Sequence, residues 1–264
     1  MQRDHSVSGA SDRLEIAYTD KPVSGWGSVR LARRRLRGDR FHPRVPSGRQ
    51  EDAEGGGAAG RDPAAVRLLA VSKQQPVEAI AAAADAGQQE FGENYVREGV
   101  AKIEALRGRD LRWHFIGQLQ ANKTREVAEQ FQWVHTVDRE RIATRLDAQR
   151  PHYAGPLDVL LQVRLEDEPG KGGVAPAALP QLAEFVAGLP RLRLRGLMCI
   201  PPPVTGEAAQ RVPFARLREL LEDLNRRGHR LDTLSMGMSA DLEAAVLEGA
   251  TIVRVGTAVF GPRD

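Results

Sequence analysis

Lys73 ends an apolar run, Leu68-Leu69-Ala70-Val71-Ser72. Apolar runs bounded by polar residues read as buried strands, and a lysine is almost never fully buried there without a partner. Lys73 either opens a solvated loop or sits at the mouth of a packed core, as an amine able to condense with a carbonyl. Far along the chain, two short segments have the chemistry of an anion site. Ser235-Met236-Gly237-Met238-Ser239 offers hydroxyls, small residues and backbone N–H groups just ahead of a helix-like segment. Arg254-Val255-Gly256-Thr257 repeats the glycine and the hydroxyl and adds a guanidinium suited to a dianion. Either segment alone also reads as an ordinary Ser/Gly turn. A phosphate nest together with a lysine that can bond to an aldehyde points to pyridoxal phosphate.

From Asp62 onward, strand-like and helix-like segments alternate. The strands expected are Val66–Ser72, Gln89–Asn94, Arg112–Gly117, Trp133–Asp138, Leu157–Leu165, Leu192–Ile200, Leu231–Met238 and Thr251–Gly261. The helices expected between them are Pro76–Ala86, Tyr95–Leu106, Asn122–Gln130, Arg139–Gln149, Ala177–Ala187, Pro213–Arg227 and Ala240–Glu248. Pro76 suits a first helical turn, Asp138 and Ser239 suit N-caps, and Gly87, Gly228 and Gly249 suit helix ends.

Eight strands with intervening helices argue for a single parallel (β/α)8 barrel, a TIM barrel. Residues 61–264 number 204, close to the fold's lower bound of about 200. An open doubly wound sheet competes. However, the first βα turn reads Ser72-Lys73-Gln74-Gln75-Pro76, without the glycine fingerprint of that fold. In a barrel, active groups gather at the C-terminal strand ends, and the loops after strands seven and eight recurrently bind phosphate. Both anion-like segments fall there. The helix count is one short, because nothing helical is expected after strand eight and a helix before strand one would fall in an irregular leader.

That leader, residues 1–60, carries the basic run Arg33-Arg34-Arg35-Leu36-Arg37 and the glycine-rich stretch Gly55–Gly60. It shows no sustained periodicity and is expected to be disordered or partly helical. Of the 38 basic and 35 acidic residues, 11 and 8 lie in residues 1–60, which leaves 27 of each in residues 61–264. The charge excess therefore belongs to the leader, and no nucleic-acid partner is expected for the barrel. No window approaches the roughly 18 apolar residues of a membrane span, and no export signal is visible. With one cysteine, a cytoplasmic protein without a disulfide or a zinc cluster is expected.

Other residues have plainer readings. His114 lies in an apolar strand, where a histidine is either a hydrogen-bonded core residue or a cofactor contact. His135 and His152 show no partner spacing. Gly170-Lys171-Gly172-Gly173 lacks the leading glycine and the trailing hydroxyl of a P-loop. Cys199 suits a small buried apolar position, and no cluster has metal-ligand spacing.

Six motifs in order carry a resemblance. They are Leu69-Ala70-Val71-Ser72-Lys73, Phe91-Gly92-Glu93-Asn94-Tyr95, His114-Phe115-Ile116-Gly117 with Leu119-Gln120 and Asn122-Lys123, Arg195-Gly196-Leu197-Met198, Ser235-Met236-Gly237-Met238-Ser239, and Arg254-Val255-Gly256-Thr257-Ala258-Val259-Phe260-Gly261. Over about residues 60–264 the chain resembles the pyridoxal phosphate homeostasis protein family. The resemblance implies a barrel of the alanine-racemase N-terminal type, with pyridoxal 5′-phosphate held covalently on Lys73 as an aldimine. It implies Ser235, Gly237, Met238, Ser239, Arg254, Gly256 and Thr257 around the phosphate, and Asn94, His114 and Met198 near the ring. It also implies a monomeric carrier or regulator of the vitamin B6 pool without catalytic turnover, with pyridoxal-phosphate-dependent apo-enzymes as candidate recipients. Members usually begin with an amphipathic helix, where this chain has its Arg/Gly-rich leader. Gln118 stands where many members have proline.

An amino-acid racemase is the alternative. It needs an acid/base group on each face of the substrate α-carbon, and in racemases of this fold the second is a tyrosine from another domain. Tyr18, Tyr95 and Tyr153 are not expected at such a place. A reading of another class is nucleic-acid or surface binding through the basic leader.

Overall fold

The computed structural model describes residues 65–166 and 172–261, together with two strands nearer the N-terminus. Chain contacts divide the molecule into Met1–Gly60 and Arg61–Asp264. In the first unit, β1 (Leu14–Tyr18) pairs antiparallel with β2 (Val29–Arg33). The described parts of the leader are thus strands rather than helices. The glycine-rich stretch, the residues just before Ala65, and Gly170-Lys171 lie outside the described residues.

In the second unit, the eight strands close a parallel barrel in the order β10-β3-β4-β5-β6-β7-β8-β9. They are β3 (Arg67–Val71), β4 (Glu90–Glu93), β5 (Arg112–Phe115), β6 (Trp133–Val137), β7 (Leu157–Gln162), β8 (Leu192–Met198), β9 (Thr233–Ser235) and β10 (Ile252–Val255). The first and last of them meet in register, with Arg254 beside Leu69 and Val255 beside Ala70. The helices are α1 (Val77–Asp85), α2 (Val96–Ala105), α3 (Thr124–Gln130), α4 (Glu140–Gln149), α5 (Leu179–Ala187), α6 (Glu207–Arg226), α7 (Leu242–Leu247) and α8 (Thr257–Phe260). Helices such as α4 turn an apolar stripe inward, here Ile142, Ala143 and Leu146, which is how an amphipathic helix is held against a sheet.

All eight expected strands are present, but several stop early at their C-terminal ends. The last is a correction of kind. Thr251–Gly261 is not one strand: β10 ends at Val255, and Thr257–Phe260 is a short helix. The N–H groups of Val259 and Phe260 both donate to the Gly256 carbonyl at 2.9 Å. Val259 and Phe260 read as strand formers, and four residues are too few to show helical periodicity. The eighth βα unit is therefore complete, where the sequence left it a helix short.

Helix starts also shift. Pro76, Arg139 and Asp241 are the N-cap residues of α1, α4 and α7. Asp138 and Ser239 precede the caps, and no side-chain capping bond is made at any of the three. Helix α6 begins at Glu207 and carries Pro213 inside it, where a proline forfeits one intrahelical bond.

One glycine is fixed by close packing across the mouth. A Cβ on Gly117 would lie 2.0 Å from the Asn94 carbonyl oxygen, which is backbone and cannot step aside. Gly117→Ala is expected to destabilise the barrel by more than about 3 kcal/mol, the range of severe overpacking. A urea midpoint unchanged from the parent chain would contradict that contact.

Candidate functional site at the barrel mouth

Lys73 lies in the turn that follows β3 and is half-buried. The Gln75 N–H donates to the Ser72 carbonyl at 3.0 Å and closes the turn around it. Gly256 abuts the same strand end, since a Cβ placed there would be 3.3 Å from the Val71 carbonyl oxygen. The lysine turn and the end of β10 are therefore neighbours.

Ser235 ends β9 and Arg254 lies in β10, and both are buried. One guanidinium nitrogen of Arg254 donates to Ser235 Oγ at 2.9 Å, and the other to the Cys199 carbonyl at 2.9 Å. Both partners are neutral. Burial pulls the Arg254 pKa below the usual arginine value, with only partial opposition from the Asp241 charge, because a desolvated cation is penalised. Gly237 has φ +91 and would bring a Cβ to 2.5 Å from the Ala245 Cβ, so a side chain is excluded twice over. Its carbonyl accepts from the Arg254 N–H at 3.0 Å. The Met238 N–H is taken by Asp241 Oδ1 at 2.6 Å. Ser239 and Thr257 are exposed, as is Met238.

Beside these residues the mouth opens into a cavity of about 290 Å³, lined by Asn94, Ile116, Thr136, Gln162, Arg164 and Cys199 among others. Asn94 is the one predicted site residue in that lining, and its Oδ1 is buried with no hydrogen-bond partner among the described residues. Cys199 is buried as expected, and burial pushes its thiol up to about 12. Met198 and His114 lie elsewhere. Met198 is wholly buried against Trp133 and Leu160. His114 is wholly buried and stacks on Trp133 at 5.3 Å between ring centroids. Neither lines the cavity. No group of three or more His, Cys, Asp or Glu among the described residues can hold a metal, and no described helix is long and apolar enough to cross a membrane.

A buried polar chain runs inward from the mouth. Ser235 Oγ is 2.9 Å from His135 Nδ1, and His135 Nε2 is 2.9 Å from His114 Nδ1. His114 Nε2 faces Glu90 Oε2 at 4.0 Å. A guanidinium can only donate, and a proton on His114 Nε2 is the arrangement that suits a carboxylate opposite. With the proton on His114 Nε2, Ser235 donates to His135 Nδ1 and His135 Nε2–H donates to His114 Nδ1; His114 Nε2 and Glu90 Oε2 themselves are buried without a hydrogen-bond partner among the described residues. His135 is the residue that sequence spacing missed. Parallel pairing places His114 beside Trp133, so His135, two positions on, shares its face.

Burial holds both imidazoles well below the usual histidine range, with Arg67, Arg112 and Arg254 adding repulsion. The unfolded chain protonates both near pH 6.5, while the folded barrel keeps them neutral well below that. The unfolded state thus binds more protons below pH 6.5, and stability falls as pH falls, by up to about 1.4 kcal/mol per pH unit for each histidine. Urea midpoints between pH 7 and 5.5 are expected to drop for the parent chain. The drop should be smaller for a His114→Gln, His135→Gln double variant, and equal slopes would refute neutral burial.

Residues 59–264 match the family model described as alanine racemase, N-terminal domain. The pyridoxal phosphate homeostasis protein of Pseudomonas aeruginosa is 60% identical over 207 residues, covering 78% of this chain and 89% of that protein. Its namesake in Escherichia coli K12 is 54% identical over 208 residues, with the same coverages. Among solved structures, PipY of Synechococcus elongatus with pyridoxal phosphate (PLP) bound is 41% identical at a TM-score of 0.71, covering 76% of this chain and 95% of that one. Alanine racemase of Corynebacterium glutamicum, at 14% identity and a TM-score of 0.58, shares the fold. The order of motifs, the closed barrel and these identities agree, and the chain belongs to the pyridoxal phosphate homeostasis protein family.

Proposed function

We propose that this chain binds pyridoxal 5′-phosphate at the barrel mouth and carries or regulates the vitamin B6 cofactor pool, the role named for its relatives. The observation that carries the reading is Arg254. A buried guanidinium whose hydrogen bonds go to a serine hydroxyl and a carbonyl is a cation awaiting an anion. Ser235, Gly237 and Gly256 surround it with small groups, and Ser239 and Thr257 stand at the rim with free access for a phosphate. Asn94 Oδ1, buried and unpartnered, suits a polar group on the ring. The donor set thus fits a phosphate-bearing aromatic aldehyde.

When bound, pyridoxal phosphate supplies an aldehyde that condenses with a primary amine. Lys73 would supply the primary amine with which such an aldehyde condenses, with release of water. The working form is a monomer in the cytoplasm that passes the cofactor to apo-enzymes and does not turn substrate over. In support, neither Tyr95 nor Tyr153 lines the cavity; both side chains are exposed. The absorption spectrum tests the reading. Incubation with pyridoxal phosphate is expected to produce a band near about 420 nm, or about 335 nm in its other tautomer, and a featureless spectrum would end the proposal. Formation of D-alanine from L-alanine at enzyme-like rates would end the non-catalytic part alone.

A further inference from the structure

A buried ion cluster lies beneath the Lys73 turn, apart from the phosphate-end residues. Lys102 of α2 is only 4% exposed. Its ammonium donates to the Ser72 carbonyl at 2.7 Å, to Glu93 Oε1 at 2.8 Å and to Glu98 Oε1 at 2.6 Å. The Ser72 hydroxyl donates to the same Glu93 oxygen at 2.6 Å. The Gln74 N–H donates to Glu98 Oε1 at 2.5 Å. The carbonyl just before Lys73 and the N–H just after it are therefore both tied to one cluster. Gln74 has φ 60, the left-handed region, and is the one non-glycine residue with positive φ among those described. Such a backbone persists only where its surroundings over-determine it. Burying the Lys102 and Glu93 side chains is also a costly way to fill space, because apolar residues of similar volume carry no electrostatic penalty.

We propose that Lys102, Glu93 and Glu98 are positioning residues. They clamp both flanks of Lys73 so that its amine is presented toward Arg254 and Ser235. This rests on the reading of Lys73 as the attachment residue. The cluster's side-chain hydrogen bonds go to the Lys73 turn and to one another, not to the phosphate-end residues, so it acts on covalent capture and not on phosphate recognition. The two separate cleanly with pyridoxal 5′-phosphate and pyridoxine 5′-phosphate, which carries an alcohol in place of the aldehyde and cannot bond to an amine.

The test uses the full chain and three variants: Lys102→Met, Lys102→Arg and Glu98→Gln. For each, the rate and extent of the 420 nm band, the affinity for pyridoxine phosphate and the melting temperature of the ligand-free protein are measured. Lys102→Met is expected to slow capture at least tenfold while pyridoxine phosphate binding changes less than twofold. Lys102→Arg is expected to recover most of the rate, since it restores a cation in the same place. Removing one member of a buried ion pair can prevent folding. Glu98→Gln guards against that, because its side chain is 26% exposed and the substitution keeps an oxygen for Gln74; a capture rate at least threefold lower is expected. Unchanged capture in a folded Lys102→Met or in Glu98→Gln overturns the proposal. So does parallel loss of both ligands, which marks a merely structural cluster. Absence of the band in the parent chain instead refutes the Lys73 reading itself.

Discussion

Lys73→Ala abolishes the band near about 420 nm and the adduct that borohydride fixes, while binding of pyridoxine phosphate persists. Covalent capture should be lost outright, because the substitution removes the atom that forms the bond. Pyridoxal phosphate affinity should fall to that of its alcohol analogue, at least about tenfold, or 1.4 kcal/mol. The backbone bonds that close the turn do not involve the lysine side chain. Lys73 is half-buried, and the groups that close the turn are backbone atoms of Ser72, Gln74 and Gln75. Mass spectrometry after borohydride gives the decisive reading, and an adduct of full yield in Lys73→Ala would place the attachment elsewhere.

Arg254→Met is the second large effect, and it splits binding from stability. Without the guanidinium, a phosphate dianion is buried beside neutral groups, and the loss should be about 2–5 kcal/mol, the cost of removing one partner of a buried charge pair. Both pyridoxal and pyridoxine phosphates should suffer equally, which separates this change from Lys73→Ala. The ligand-free protein should behave differently. Burial already works against the Arg254 charge, and replacing a desolvated ion by an apolar side chain of similar volume is often neutral or stabilising. Against that, the Cys199 carbonyl loses a donor. The melting temperature without ligand is therefore expected to hold, while the rise on adding pyridoxal phosphate disappears. A melting temperature that drops as far as ligand affinity does would mean that Arg254 is a structural cross-link and not an anion receptor.

What the sequence made legible follows from what periodicity can carry. Eight alternations of strand and helix specify the barrel, and the barrel's own rule about strand ends picks out Lys73, Ser235, Gly237, Arg254 and Gly256 as a set. The expected strands overrun the observed ones because the small and apolar residues of the mouth continue the strand pattern after the ladder has stopped, as Met236-Gly237-Met238 does past β9. The Thr257–Phe260 helix was invisible for the same reason. His135 needed register, since only pairing of β5 with β6 sets it against His114. Lys102 was out of reach altogether. On a helix, a lysine four residues after Glu98 reads as a surface ion pair. Its burial depends on how α2 settles over the ends of β3 and β4.

The two ends of the proposed site also differ in when they come into being. Lys73 follows the first barrel strand and Arg254 lies in the last, 181 positions later, and those two strands zip together to close the ring. A growing chain made from its N-terminus carries the lysine early and the guanidinium almost at the end. Until β10 docks against β3, no combination of the earlier strands holds both groups. Such long-range closure is the slow, entropically expensive step of a parallel fold. An anion that bridges the closing seam favours the closed ring over every open form by mass action. On this reading the cofactor is also a folding partner, and its concentration in the cell bears on how much of this protein is finished.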